Sequence, residues 1–397
     1  SSIFENKNIA IGHDALRGSS VPSSNTGSDN IALGYRAMQN NTSGTGNVAI
    51  GDAALNANTT GIYNTAVGWG VMENSSIASQ NTAVGADVLQ GNSGDNNTVV
   101  GAFAMDANNS GDDNTVMGAL AMTNNVTGYQ NVAVGQGSLL NNTDGTRNTS
   151  IGAQSLMLNT IGEFNTAIGY SSLRNTESSN NTGVGTFALN ANSTGASNVA
   201  VGSLSLQDNT TGSSNVAVGV SSLANNISGL NNVAVGSGSL SQTTGNNNTG
   251  FGNNAGFANT TGSSNTFIGA NADASAGGLS NATAIGANAQ VGASNSLVLG
   301  NNANVGIGTN APGYKIHVED RITSAPTAYF ANIISSGISG SAAEFVNSGL
   351  RSIGHSGVIV NNITTKSGGS NSTKVGLEVN STGSWGPSTT NQPNVGV

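Results

Sequence analysis

The stretch Asn64-Thr65-Ala66-Val67-Gly68 is answered seventeen residues later by Asn81-Thr82-Ala83-Val84-Gly85, and variants of it occur eighteen times. The closing glycines are Gly12, Gly34, Gly51, Gly68, Gly85, Gly101, Gly118, Gly135, Gly152, Gly169, Gly185, Gly202, Gly219, Gly236, Gly252, Gly269, Gly286 and Gly300. The first step is 22 residues, the last is 14, and all others are 16 or 17. A short fixed period sustained over about 290 residues defines a solenoid with one coil per copy.

Positions are counted from the closing glycine. Position −1 is always apolar, and −3 is Thr, Val or Ile in seventeen copies and Leu297 in the last. Such β-branched alternation is the pattern of a short strand with one buried face. Val67, Val84 and Val134 at −1 are therefore expected inside the coil. The Ala row at −2 (Ala66, Ala83, Ala133, Ala217) then points out, where small side chains suit a neighbouring chain. The closing glycine permits the positive φ of an immediate turn. A second apolar site at +4 holds Leu or Met in fourteen consecutive copies, from Leu16 to Leu240. Turn sequences such as Asn58-Thr59-Thr60-Gly61 fill the rest. Each coil reads as strand, turn, second short strand, turn. Thr60, Asp112 and Thr211 are expected to be exposed, and Leu89 to be buried.

Asn occupies −4 in sixteen copies, among them Asn64, Asn81 and Asn131. Stacked coils would let these amides hydrogen-bond in a ladder along the axis. The repeated Asn64, Val67, Gly68, Asn81, Val84, Gly85, Asn131, Val134 and Gly135 are read as structural. Parallel stacking at about 4.8 Å over seventeen intervals gives a shaft of roughly 80 Å.

Composition supports a structural role. Charged residues are 7%, aromatics 4% and hydrophobic residues 36%, with 57 glycines and no cysteine. Without cysteine there is neither a disulfide nor a thiolate metal site. The net charge of −9 leaves no basic stripe for nucleic acid. No apolar run is long enough to span a bilayer. One coil buries about three apolar side chains, too few to offset the entropy of ordering seventeen residues. A parallel homo-oligomer sharing its core is the expected form.

The Asn-Thr-Ala-Val-Gly element with its following Ala-Leu pair resembles the head repeat of YadA-type trimeric autotransporter adhesins, and related shafts of phage and bacterial surface fibres. The resemblance covers residues 8–300. It implies an all-β, left-handed parallel β-roll, three chains packed into one intertwined or side-by-side fibre, and an extracellular place on a cell surface or virion. The implied function is attachment, as a bacterial adhesin or phage tail fibre, to a host or prey receptor or glycan. The family repeat is shorter than the one here, which leaves room for a larger parallel ring.

Three segments follow: a β-roll shaft over 1–300, a connector over 301–320, and a second β-rich fibre segment over 321–397 that reads as cut short. The run Val305-Gly306-Ile307-Gly308-Thr309-Asn310-Ala311-Pro312 resembles a connector that often follows such shafts, and it reads as a strand, a proline turn and a strand. The first interval carries extra residues around Gly18-Ser19-Ser20-Val21-Pro22, so one loop should bulge. Gly256, Asp273 and Gln290 replace the Leu at +4, so the roll should taper there.

Enzymatic chemistry is hard to find. His13, His317 and His355 have no triad or metal-ligand spacing. The acids scatter, whereas a glycosidase on a solenoid needs paired carboxylates on adjacent coils. Asp95 and Asp112, each after a glycine one repeat apart, are weak calcium candidates. Tyr35, Trp69 and Tyr170 at +1 could stack on sugars but read better as isolated surface residues. Thr at −3 shares a face with the buried −1 site, which argues against an ice-binding face. The reading is a non-enzymatic fibre with no cofactor; the alternative is a fibre-borne glycan-degrading enzyme whose active site lies outside this stretch or between chains.

Overall fold

The computed structural model describes residues 7–318. Its main feature is an eighteen-stranded parallel sheet running from Ile9–Ile11 to Leu297–Leu299, one three-residue strand per coil. Thr65, Ala66 and Val67 pair with Thr82, Ala83 and Val84, and Val132–Val134 lies between Thr115–Met117 and Thr149–Ile151. Identical residues thus stack coil upon coil, and the chain is a parallel β-solenoid of about 17 residues per turn. The 22-residue first step keeps this register, with Ile9 opposite Ile31. Its extra residues bulge as a loop with a 3-10 turn at Pro22–Ser24, closed by paired hydrogen bonds between Ser19 and Asn25.

From Gly12 to Gly286 the closing glycines have φ between 115° and 148°. A Cβ on Gly68 would fall on the Gly85 carbonyl oxygen, and one on Gly135 would sit 2.6 Å from the Gly152 carbonyl carbon. Both the turn and the close approach of coils require glycine here.

The segment after the glycine is not a second strand over most of the shaft. Leu55, Leu89, Leu139 and Leu206 at +4 are left-handed, with φ of 49–52°. So are +2 residues such as Ala53 and Gln154, and −5 residues such as Tyr63 and Gln130. Each non-glycine residue held this way costs about 1–2 kcal/mol. The geometry has a purpose that strand alternation cannot serve: it turns the adjacent +3 and +4 side chains inward together. Only where the +4 Leu is lost do Asp273–Ala274 and Gln290–Val291 run extended, and there they form a second parallel pair.

The strand faces are the reverse of the expected ones. Ala66, Ala83, Ala133 and Ala217 at −2 are fully buried within the coil. Val67, Val84 and Val134 at −1 are only half-buried and lie on the outer face with −3. The interior of so small a coil is filled by Leu or Met at +4 and leaves room for little at −2 and +3. These two positions compensate in size: Ala66 with Val71 and Ala83 with Val88, but Val99 with Ala104 and Val116 with Ala121. Phe267 at −2 fits because Gly256 sits below it, where a Cβ would lie 2.5 Å from the ring. Ser150 at −2 meets Ser138 and Ser155, and the three hydroxyls bond one another. Leu89 is buried, and Thr60, Asp112 and Thr211 are exposed, as expected.

Beyond the shaft, Val305–Ile307 and Ile316–Val318 pair in parallel around the turn containing Pro312. The expected second fibre segment, 321–397, lies outside the described residues. Ala133→Glu, which buries an unpaired carboxylate, should cost several kcal/mol, whereas Val134→Asp on the outer face should leave the coil folded. Thermal unfolding followed by circular dichroism on both variants reads the difference.

Candidate functional site

The Asn row at −4 is buried and continuous. The Asn131 N–H donates to Asn114 Oδ1 at 3.0 Å, its Nδ2 donates to the Gly145 carbonyl at 2.9 Å, and its Oδ1 accepts the Asn148 N–H at 2.9 Å. Asn64 and Asn81 repeat the arrangement. A second buried row lies at +7, including Asn41, Asn58, Asn108, Asn125 and Asn142. Asn142 Nδ2 reaches Asn125 Oδ1 at 2.8 Å and the Gly145 carbonyl at 3.0 Å, so that carbonyl serves both rows. The second row was hidden in the sequence among turn asparagines. Its unpartnered oxygens mark its interruptions: Asn58 and Asn159 lack a donor because Ser75 and Thr176 follow them. These amides are therefore committed to the fold.

Asp95 and Asp112 belong to a third row, at −6. Asp95 Oδ1 accepts the Ser79 N–H and Asp112 Oδ1 the Asp95 N–H, both at 2.7 Å. Ser179, Ser213 and Asn246 do the same elsewhere. Among the described residues no three His, Cys, Asp or Glu side chains converge as a metal site. His13 lies beside Asp14 at 3.4 Å and against the Tyr35 ring. His317 Nδ1 accepts the Gly313 N–H at 3.2 Å within the connector. His355 lies outside the described residues.

Two surfaces remain. The first is the outer strand face. Ile50, Ile151, Ile168, Val201, Val218 and Ile268 are 37–40% exposed, and Met117 and Phe251 more so. The threonines at −3 share this face, so the expectation that they are inside is corrected. Their longest unbroken run is four coils, Thr65 to Thr115, and Val132, Val199, Val216 and Val233 interrupt the row. A surface this irregular suits protein packing better than a lattice of ordered water.

The second surface lies around Gly70. Trp69 is 58% exposed. Tyr35, by contrast, packs against His13 and the Arg36 guanidinium, and Tyr170 stands edge-on to Phe187. The Asp87 N–H bonds the Trp69 carbonyl at 3.0 Å, and the Asp87 carboxylate accepts from the Gln90 amide. Asp106 follows Gln90 one coil on, and its Oδ1 is enclosed without a partner. Burial, and then the charge of Asp87, raise the Asp106 carboxyl above its ordinary value. The adjacency of Asp87 and Asp106 was not legible in the sequence, because it needs a +2 and a +5 residue from successive coils.

No protein-family model matches the chain, nor does any curated protein. No helix among the described residues is long and apolar enough to cross a membrane.

Two outcomes follow. Asn131→Ala should leave the Asn148 N–H unpartnered, at about 1–3 kcal/mol. Native-state hydrogen exchange at Asn148 and Thr149 reads that local loss. Because folding raises the Asp106 pKa, the native state holds that proton to higher pH than the unfolded chain. Its stability contribution is full below the ordinary value of 3.8 and is lost as pH rises through the raised one. Asp106→Asn should flatten this part of the melting temperature's pH dependence and raise the melting temperature at neutral pH.

Proposed function

We propose that this chain is the shaft of an extracellular fibre, a structural and adhesive protein that works as a parallel homo-oligomer. The observation that carries the reading is the outward β-branched face. Two rows of uncharged side chains along stacked strands make a strip about 10 Å wide and 80 Å long, or roughly 800 Å². That is about the area each partner contributes to a standard stable interface; the −1 row is apolar throughout and the −3 row is mostly threonine. A second copy in parallel register would meet this strip with the same residues at the same height. The seam is thus the −1 and −3 face, not the Ala row at −2. Three chains is the number drawn from resemblance to trimeric adhesins, and a larger parallel ring uses the same seam. A rigid shaft of this kind presents binding surfaces to a cell-surface receptor or glycan. A glycan-degrading enzyme would draw on Asp87 and Asp106, but the Asp87 carboxylate is already committed to Gln90.

Native mass in solution tests the assembly. The expected result is twice 39.1 kDa or a higher integral multiple. The double variant Val134→Asp with Ile168→Asp should dissociate to folded monomers. A parent protein that is already a stable monomer would sink the shared-seam reading.

A further inference from the structure

The corner beside the strand face carries a strip unlike the rest of the shaft. Trp69 at +1 stands at one end. Phe103, at +2 two coils further on, stands at the other and is 46% exposed. Asp87 occupies +2 in the coil between them, with Gln90 and Asp106 alongside at +5. Hydrogen bonds fix the order: the Asp87 N–H bonds the Trp69 carbonyl, and the Phe103 N–H bonds the Ala86 carbonyl, both at 3.0 Å. Two coil steps separate the ring-bearing residues, about 10 Å at the usual strand spacing. Gly70 lets the Asp87 carboxylate pack against it, since a Cβ there would lie 2.6 Å from its Oδ1.

We infer that Trp69, Asp87, Gln90, Phe103 and Asp106 form a binding strip for a neutral glycan chain lying along the shaft. Aromatic faces offer flat apolar platforms for the C–H faces of sugar rings. Carboxylates and the glutamine amide offer charge-assisted and neutral hydrogen bonds to hydroxyls. Asp106 stands beside the strip, with its Oδ1 enclosed, and adds negative charge to it. Two sugars of an extended chain span a length comparable to the gap between the ring-bearing residues. Charge sets the class of glycan. Asp52, Glu73, Asp87 and Asp106 surround the strip, and no Lys, Arg or His occurs between Arg36 and Arg147. An acidic polysaccharide would be repelled. The inference rests on the adhesive reading above and supplies its ligand class.

The chain has two tryptophans, Trp69 and Trp385. In a full-length Trp385→Phe background, emission reports Trp69 alone. Titration with cellohexaose, chitohexaose and mannohexaose should change that emission with at least one of them, and hexagalacturonate should leave it unchanged. Calorimetry should show that hexamer binding at least tenfold more weakly to Trp69→Ala and to Asp87→Asn, both at exposed or half-buried positions, with cooperative melting retained. The strip is overturned if no neutral hexamer binds, if the acidic hexamer binds as well, or if binding survives both substitutions. Native mass of the same samples keeps the two readings apart. An intact oligomer that ignores every neutral hexamer removes the strip alone, and a monomer that binds one removes the shared seam alone.

Discussion

The structure depends on the vertical fit of one coil on the next. Each strand is only three residues long, too short to hold a sheet by its own backbone bonds. The fit is completed by side chains that behave as backbone. Asn at −4 accepts an N–H from the following coil and donates to a carbonyl of that coil, as Asn131 does between Asn148 and Gly145. Asn at +7 does similar work across the coil, and Ser, Asp or Asn at −6 ties the outer turn. Buried amides are costly without partners, so the repeat is self-enforcing: the oxygen of an Asn at +7 is satisfied when the next coil presents another Asn at the same place. Asn58 and Asn159 show what happens when it does not.

That axial constraint explains the left-handed residues. Leu at +4 adopts φ near 50° although glycine would do so more easily. The compensation is a fully buried side chain in the centre of a narrow coil, repeated along the shaft. Gly256 relieves the backbone at its own coil and removes the side chain, and Phe267 supplies the missing volume from the next strand. Core volume is conserved between coils rather than within one.

The same narrowness decides which residues face outward. A coil that can hold only small residues at −2 leaves its β-branched residues outside, and those residues form a long uncharged strip. The shaft thus carries a continuous apolar row at −1 along the outside of its sheet. Among the described residues no charge stands at −1 or −3 of the eighteen strands. Asp14, Arg17 and Arg36 cluster in the first two coils, and Asp87 and Asp106 lie on the corner beside Trp69.

By itself the sequence determined the coil. Eighteen copies at nearly constant spacing, with glycine, Asn and β-branched residues at fixed places, left a stacked parallel solenoid as the arrangement that satisfies all of them. The −4 ladder, the bulge near Gly18 and the change at Asp273 and Gln290 could also be read there. The tertiary structure alone decided which strand face is inside. Period-two alternation distinguishes two faces but does not rank them, and the usual preference for large apolar residues inside fails when Leu and Met at +4 already fill the interior. It likewise decided the second Asn row, the left-handed turns and the neighbourhood of Trp69, Asp87 and Asp106. Each of these depends on residues from successive coils, whose contacts exist only once the chain has turned back upon itself.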